Sequence, residues 1–202
     1  MGLTRKLEKL PSVLTENRFN EKGLAETDSG LLVPAYVASE LGFNFPGRYF
    51  LDNYLYPRLR EAGVLPLCPF TSCAEYLGIM PDKDRPLREH EEYWENFVEI
   101  IGKVNYETLM PRSKFMIAVM EGDRVDEGVA AETAYFSQHH GPVIGFRTDF
   151  RLSENMAAPI NGAVRYFMER EEYNGQFFAG PDADKEALKA IKTLAERIKD
   201  AA

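Results

Sequence analysis

Two apolar runs joined by an acidic, glycine-containing segment constrain this chain more than any other feature of its sequence. Residues 115–120 (FMIAVM) end in a polar turn, and residues 142–146 (PVIGF) form the second run. Between them lies Asp126-x-Gly128-x-x-x-Glu132, on what the pattern predicts to be the first turns of a helix. Short apolar runs on either side of a helix predict a βαβ unit. That unit places both carboxylates at the carboxyl end of a buried strand, where open α/β sheets bind their ligands.

The rest of the chain repeats this alternation of strands and helices. Further strands are predicted around residues 35–38 and at 64–69. Helical spacing of apolar residues predicts helices at residues 46–62 (kinked at Pro57), 91–109, 128–138, 153–170 and 181–199. The alternation predicts a doubly wound α/β sheet, flavodoxin-like or Rossmann-like, with four or five mostly parallel strands flanked by helices.

Two segments fall outside the alternating pattern. Residues 1–30 are charged and irregular, which predicts an N-terminal arm before a single α/β domain at residues 31–202. Residues 71–90 are rich in turn-forming and charged residues and predict an irregular excursion near the strand ends. Long loops of this kind in compact domains are often functional.

The composition of the chain argues against several classes of binding partner. The 202 residues carry a net charge of −8 and no basic tract, which argues against nucleic acid and anionic membranes. No apolar run approaches the ~18 residues of a membrane span, and the polar N-terminus lacks a signal-peptide pattern, so a cytoplasmic protein is expected. Cys68 and Cys73 have neither zinc nor disulfide-framework spacing, and no metal or cofactor is expected.

The acidic pair admits two interpretations on its pattern alone. Glu132 lies four residues after Gly128, so both share a helix face and the glycine leaves room for a ligand. The nearby helix N-terminus is expected to keep Glu132 ionised, as a nucleophile or a stabiliser of a developing cation requires. Paired carboxylates suit glycosyl transfer through an oxocarbenium-like state. Alternatively, Asp126 caps the helix and Glu132 is a solvated helix residue.

Five stretches resemble the nucleoside 2-deoxyribosyltransferase family, in order and at sensible spacing. The resemblance that they carry extends over most of residues 33–170. They are residues 35–43 (AYVASELGF), 59–63 (LREAG), 105–122 (NYETLMPRSKFMIAVMEG), 126–149 with the Asp-x-Gly-x-x-x-Glu signature, and 159–167 (PINGAVRYF).

The resemblance implies a role for several of these residues. Glu132 would attack the anomeric carbon of a 2-deoxyribonucleoside and form a glycosyl ester, and Tyr36 would hold Glu132 by a hydrogen bond. Asp126 would bind the sugar hydroxyls or assist proton transfer at the base. Asn161 would reach a neighbouring subunit's site, so at least a homodimer with shared sites is implied. The substrates would be nucleosides and free nucleobases.

Two further residues are expected to contact the substrate, and one residue differs from the family pattern. Glu40 and Asn44 follow the first strand, where contacts to the sugar or base are expected. Lys114 stands where many family members carry an aspartate near the nucleobase, which leaves base preference open.

Two other functions remain as alternatives to transfer. One is an N-glycosidase that hydrolyses nucleosides or nucleoside 5′-monophosphates, although acidic residues in the segments 39–42 and 126–128 would repel a phosphate. The other is a non-catalytic module that senses nucleosides.

Overall fold

Five parallel strands form the centre of the sheet and fix where a site can lie. In a computed structural model, which describes residues 10–77, 96–151, 158–169, 172 and 174–202, these strands are β3 (Gly30–Ser39), β4 (Val64–Leu67), β5 (Phe115–Val119), β6 (Val143–Arg147) and β7 (Gln176–Ala179). Hydrogen-bonded neighbours give the spatial order β4-β3-β5-β6-β7. This is the flavodoxin-like order 2-1-3-4-5, whose switch point lies between β3 and β5. The predicted doubly wound α/β fold is confirmed.

The N-terminal residues extend the same sheet. After the helical turn α1 (Ser12–Thr15), β1 (Arg18–Phe19) pairs antiparallel with β2 (Ala25–Thr27), which pairs antiparallel with the start of β3. The side chain of Leu24 is 1% exposed, so this segment contributes to the core. The division into an arm at residues 1–30 and a domain at 31–202 stays a prediction.

Helices cover both faces of the sheet. One face carries α2 (Phe45–Phe50), a π-helical turn (Leu51–Leu55), α3 (Tyr56–Glu61) and the C-terminal α8 (Ala183–Asp200). The other face carries α4 (Pro69–Leu77), α5 (Phe97–Ile101) with its π-helical continuation (Gly102–Leu109), α6 (Glu127–His139) and α7 (Gly162–Met168). A short 3₁₀ turn, Met110–Arg112, leads into β5, and another, Glu40–Phe43, follows β3.

Successive residues of β3 alternate between these layers, as the period of two in a strand requires. Ala35 and Val37 pack under α3 and α8, whereas Tyr36 and Ala38 face α4 and α6. Tyr36 is thereby directed, fully buried, at the helix that carries Glu132.

Several predicted helices differ in extent from those observed. The helix at residues 46–62 passes through the π-helical turn before Pro57, whose ring would otherwise meet the carbonyl of Asn53. The prediction of an irregular segment at 71–90 is wrong for 71–77, which belong to α4, and residues 78–90 lie outside the described residues. Among the described residues of the helix predicted at 153–170, α7 is the helical part, and residues 153–157 and 170 lie outside the described residues.

Candidate active site

A cavity of about 320 Å³ opens at the carboxyl ends of β3 and β5, the switch point of the sheet. Its polar lining comes from β3, the π-helical segment and the start of α6. The described residues that line it are Ser39, Phe43, Pro69, Phe70, Cys73, Ile101, Asn105, Asp126, Gly128, Val129 and Glu132. Open α/β sheets bind small ligands at this position, so the cavity is the candidate active site.

Glu132 is the central side chain of the site. It lies in the second turn of α6, partly buried, and its remaining exposed surface faces the cavity. The hydroxyl of Tyr36 donates a hydrogen bond of 2.6 Å to Oε1 of Glu132. A strand residue and a helix residue are thus joined across the core, as expected for this pair.

Asn105 is a second donor to the same carboxylate, and the sequence did not single it out. Its Nδ2 donates to Oε1 of Glu132 at 3.1 Å, and its side chain is only 5% exposed. The residue lies in the π-helical segment after α5, a type of distortion that is frequent at functional sites. An amide on an otherwise apolar helix stripe was the available signal, because buried polar groups require partners.

Burial governs the ionisation of Glu132. Desolvation raises its pKa to about 7, although the hydrogen bonds from Tyr36 and Asn105 act in the opposite direction. The nearby charge of Asp126 raises the pKa further. With a pKa of about 7, Glu132 is ionised only in part at neutral pH, less than the helix N-terminus alone was expected to give, because desolvation outweighs the stabilising contacts.

Asp126 caps α6 and also lines the cavity. Its Oδ1 accepts a 3.1 Å hydrogen bond from the backbone N–H of Val129, which caps α6. The same side chain lines the cavity, and among the described residues no donor contacts its Oδ2. A Cβ at Gly128 would lie 2.9 Å from Oδ1, so the glycine leaves the space that this carboxylate occupies.

A buried arginine shapes the loop that leads to Asp126. The guanidinium of Arg147, at the end of β6, donates hydrogen bonds of 2.7 Å and 2.6 Å to the carbonyls of Met120 and Gly122. Its side chain is fully buried. Because both acceptors lie directly after β5, Arg147 fixes the path of the chain toward α6.

An apolar wall completes the cavity, and the sequence did not identify it. The rings of Phe43 and Phe70 meet edge to face with centroids 4.8 Å apart. Pro69 and Phe70 begin α4, whereas the sequence pattern placed Pro69 at the end of a strand and predicted no helix after it. An apolar wall opposite two carboxylates suits a ligand with a polar end and a flat, less polar end.

A model of a known protein family matches the part of the chain that contains these site residues. The family model described as nucleoside 2-deoxyribosyltransferase matches residues 35–163, more than half of the chain, and this range contains Tyr36, Asn105, Asp126 and Glu132. The chain belongs to the nucleoside 2-deoxyribosyltransferase family.

Solved structures support the fold of this family member. A crystal structure of a conserved protein from Enterococcus faecalis V583 is similar to the chain, with 18% sequence identity and a TM-score of 0.52. The similarity covers 81% of this chain and 99% of that protein. At this identity the likeness concerns the fold alone. No curated protein matches the chain.

Asn44 and Glu40, the other two residues predicted to contact a substrate, are not among the described residues that line the cavity. Oδ1 of Asn44 accepts a 2.8 Å hydrogen bond from the backbone N–H of Gly47 and so caps α2. Glu40 lies over Gly122, in the loop after β5. Burial and the charges of Asp126 and Asp123 raise the pKa of Glu40. Their roles toward a substrate stay predictions.

Asn161, which the family resemblance assigns to a neighbouring subunit's site, lies at the N-terminus of α7. Its Oδ1 accepts a 2.8 Å hydrogen bond from the backbone N–H of Ala163. Asn161 is not among the described residues that line this chain's own cavity. The predicted contribution to another subunit's site stays a prediction.

Lys114 lies at the opposite end of β5 from the cavity. It precedes β5, and its backbone N–H donates to the carbonyl of Pro34 at the amino end of β3. Its Nζ lies against Gly23 in the N-terminal segment. The five residues of β5 separate Lys114 from the cavity by about 15 Å of strand. Lys114 therefore does not face the cavity of its own chain, and base preference stays open.

Among the described residues, no group of three or more His, Cys, Asp and Glu side chains is placed to hold a metal ion. In the same part of the chain, no helix is long and apolar enough to cross a membrane.

Proposed function

We propose that this protein transfers a 2-deoxyribosyl group from one nucleobase to another through a glycosyl ester on Glu132. The observation that carries the proposal is the carboxylate of Glu132, which faces the cavity at the sheet's switch point while Tyr36 holds its other side at 2.6 Å. Membership of the nucleoside 2-deoxyribosyltransferase family supports the same chemistry.

The reaction has two displacements at the anomeric carbon. A carboxylate oxygen of Glu132 bonds to C1′ as the C1′–N bond to the base breaks, and the bonding electron pair leaves with the base. A second base then attacks C1′ with its nitrogen lone pair, and the C1′–O bond electrons return to Glu132. Two inversions at one carbon retain the anomeric configuration. The charge of Glu132 also stabilises the oxocarbenium-like transition state of each step.

Asp126 is proposed to orient the nucleoside. Its Oδ1 is held by the helix cap, which leaves Oδ2 to accept from a sugar hydroxyl or to handle the proton of the base. The cap supplies the rigidity that this positioning requires, because it fixes the carboxylate relative to α6 and therefore relative to Glu132.

Nucleosides fit the cavity better than nucleoside monophosphates. The described residues that line it include Asp126 and Glu132 but no lysine or arginine. A phosphate bound beside two carboxylates would meet repulsion and find no cation to pair with. The apolar wall around Phe70 is proposed to receive the base, with the acidic side toward the sugar.

Shared sites are part of the proposal. Asn161 of one subunit is proposed to contact the 5′-hydroxyl of a nucleoside in the neighbouring subunit, in at least a homodimer. A closed two-fold assembly would give each subunit one complete site.

One assay separates transfer from its alternatives. The protein is incubated with a 2′-deoxynucleoside and a different free base, and the products are separated by chromatography. A new nucleoside that disappears with the isosteric Glu132→Gln variant supports the proposal. Release of base without a new nucleoside would indicate hydrolysis instead. Absence of turnover with every purine and pyrimidine deoxynucleoside would overturn both enzymatic functions.

A further inference from the structure

The two hydrogen-bond donors at Glu132 converge on one oxygen atom. Tyr36 Oη and Asn105 Nδ2 donate to Oε1, at 2.6 Å and 3.1 Å. Among the described residues, no donor contacts Oε2 of Glu132. The carboxylate is therefore asymmetric, with one oxygen held by the protein and the other available in the cavity.

We propose that Asn105 is a positioning residue that, together with Tyr36, fixes Oε1 of Glu132 and thereby assigns Oε2 as the atom that bonds to the sugar. This inference rests on the proposed function and specifies the geometry of its first step. A carboxylate held by a single donor can rotate about its terminal torsion, whereas two donors from different elements fix its plane.

The amide of Asn105 is itself oriented by a neighbour. The Sγ–H of Cys73, on α4, is 3.7 Å from Oδ1 of Asn105 and donates to it. Because the carbonyl side of the amide faces the thiol, the NH₂ side faces Glu132. Burial raises the pKa of Cys73 to about 12, so the thiol keeps the proton that it donates. The chain of contacts runs from Cys73 through Asn105 to Glu132.

This arrangement contributes to both halves of the proposed reaction. When Oε2 bonds to C1′, the negative charge of the carboxylate disappears and Oε1 becomes the carbonyl oxygen of the ester, which still accepts from both donors. When the second base attacks, the C1′–Oε2 bond breaks and charge returns to the carboxylate. Tyr36 and Asn105 then stabilise the leaving carboxylate, as preorganised donors do where charge develops.

The ionisation of Glu132 reports on Asn105 without any turnover. The titratable groups around the carboxylate are Tyr36 on β3, Cys73 on α4, Tyr106 on the π-helical segment and Asp126 before α6. Asn105 is uncharged, so its removal changes one hydrogen bond and leaves this set of titratable groups intact. Loss of a donor to the charged form raises the pKa of a carboxyl group.

The decisive experiment is a ¹³C NMR titration of the protein labelled at the glutamate side-chain carboxyl carbon. The signal of Glu132 is identified by its absence from the spectrum of Glu132→Gln. We expect Asn105→Ala to raise the titration midpoint of Glu132 by about one pH unit. Ser113→Ala is the matched control, because Ser113 is equally buried and its hydroxyl donates to the carbonyl of Leu109 rather than to Glu132.

Activity measurements complete the test. In the exchange assay, Asn105→Ala is expected to lower kcat roughly tenfold, with a smaller change in KM. The acid limb of its pH–rate profile is expected to move to higher pH by the same interval as the titration midpoint of Glu132. Asn105→Ser replaces it if the alanine variant does not fold. A folded Asn105 variant whose Glu132 titrates at the wild-type midpoint overturns the inference, whatever its activity. If the Asn105 variant shifts the midpoint of Glu132 but the wild-type protein shows no exchange activity, the proposed function is overturned. The positioning of Glu132 by Asn105 is then still supported.

Discussion

The hydroxyl of Tyr36 and the carboxylate of Glu132 are 96 positions apart in the sequence and lie 2.6 Å apart in the structure. One comes from the first parallel strand and the other from the helix after the third, so the contact forms only when the βαβ crossover is complete. Burial and the charge of Glu132 raise the pKa of Tyr36 well above its ordinary value. The phenol therefore remains a donor throughout the pH range in which Glu132 titrates.

The rate of base exchange is expected to rise with pH through about 7. Glu132 must be ionised to attack C1′, and burial raises its pKa to about 7. Tyr36 stays protonated, so it sets no alkaline limit in this range. The measurement is the pH profile of kcat/KM with a nucleoside whose base does not titrate between pH 5 and 9. A rate that is constant from pH 5 to 8 would contradict a titrating Glu132 as the nucleophile.

Glu132→Gln is expected to make the protein more stable at alkaline pH while it abolishes exchange. The folded-state pKa of about 7 lies above the ordinary value of 4.5, so this group's stabilising contribution is present at pH below about 4.5 and is lost as pH rises through about 7. The difference corresponds to roughly 3 kcal/mol. Glutamine keeps the acceptor oxygen for Tyr36 and Asn105 without a buried charge. Urea unfolding at pH 5 and pH 8.5 measures the effect, and an equal difference between variant and wild type at both values would refute it.

Tyr36→Phe is expected to lower kcat at least tenfold and to raise the pH midpoint of the acid limb. The variant removes one of two donors to Oε1 and retains the buried ring. Tyr56→Phe is the matched control, because Tyr56 is buried on the opposite face of the sheet beside Cys68. A normal pH profile in Tyr36→Phe, or a similar loss of activity in both variants, would argue that the ring and not the hydroxyl matters.

Much of the fold follows from local pattern, because buried strands and amphipathic helices have distinct periods. The strands β4, β5 and β6 are short apolar runs with every residue buried, and the sequence pattern located all of them. The strand β7 was not predicted, since Gln176–Ala179 lies at the sheet edge and is only partly buried. A short edge strand carries little of the apolar signal that identifies a central one.

The sequence predicted those site residues that lie together in one motif or that match the family pattern. Asp126, Gly128 and Glu132 form one motif, and Tyr36 came from the resemblance. Asn105 reaches Glu132 through a π-helical distortion, which shifts side chains away from the ordinary helical stripe. The ionisation of Glu132 depends on burial by surrounding elements, and no local pattern states how much water remains beside a carboxylate.

Gly128→Ala is expected to impair exchange with little change in stability. The added Cβ would lie 2.9 Å from Oδ1 of Asp126 and displace that carboxylate from its cap on Val129. Loss of the cap costs about 1 kcal/mol, which the higher helix propensity of alanine offsets by a similar amount. Gly102→Ala is the control, because a Cβ there meets no atom within 4 Å. Unchanged kcat/KM in Gly128→Ala would remove Asp126 from the proposed substrate contacts.

Mixing two inactive variants is expected to restore activity if sites are shared between subunits. Asn161→Ser retains a helix-capping oxygen for Ala163 but shortens the side chain that is proposed to reach the neighbouring site. In a dimer of one Glu132→Gln subunit and one Asn161→Ser subunit, one site carries both substitutions and the other carries neither.

The size of the recovery follows from the symmetry of a dimer. Random re-association of equal amounts would give roughly a quarter of the wild-type activity per chain. The variants are mixed under conditions that exchange subunits, and the exchange assay is compared with each variant alone. Because neither variant has an intact site by itself, recovered turnover can arise only across an interface. No recovery in a mixture whose subunits have demonstrably exchanged would place Asn161 outside any shared site, and its capping of α7 would then account for the residue.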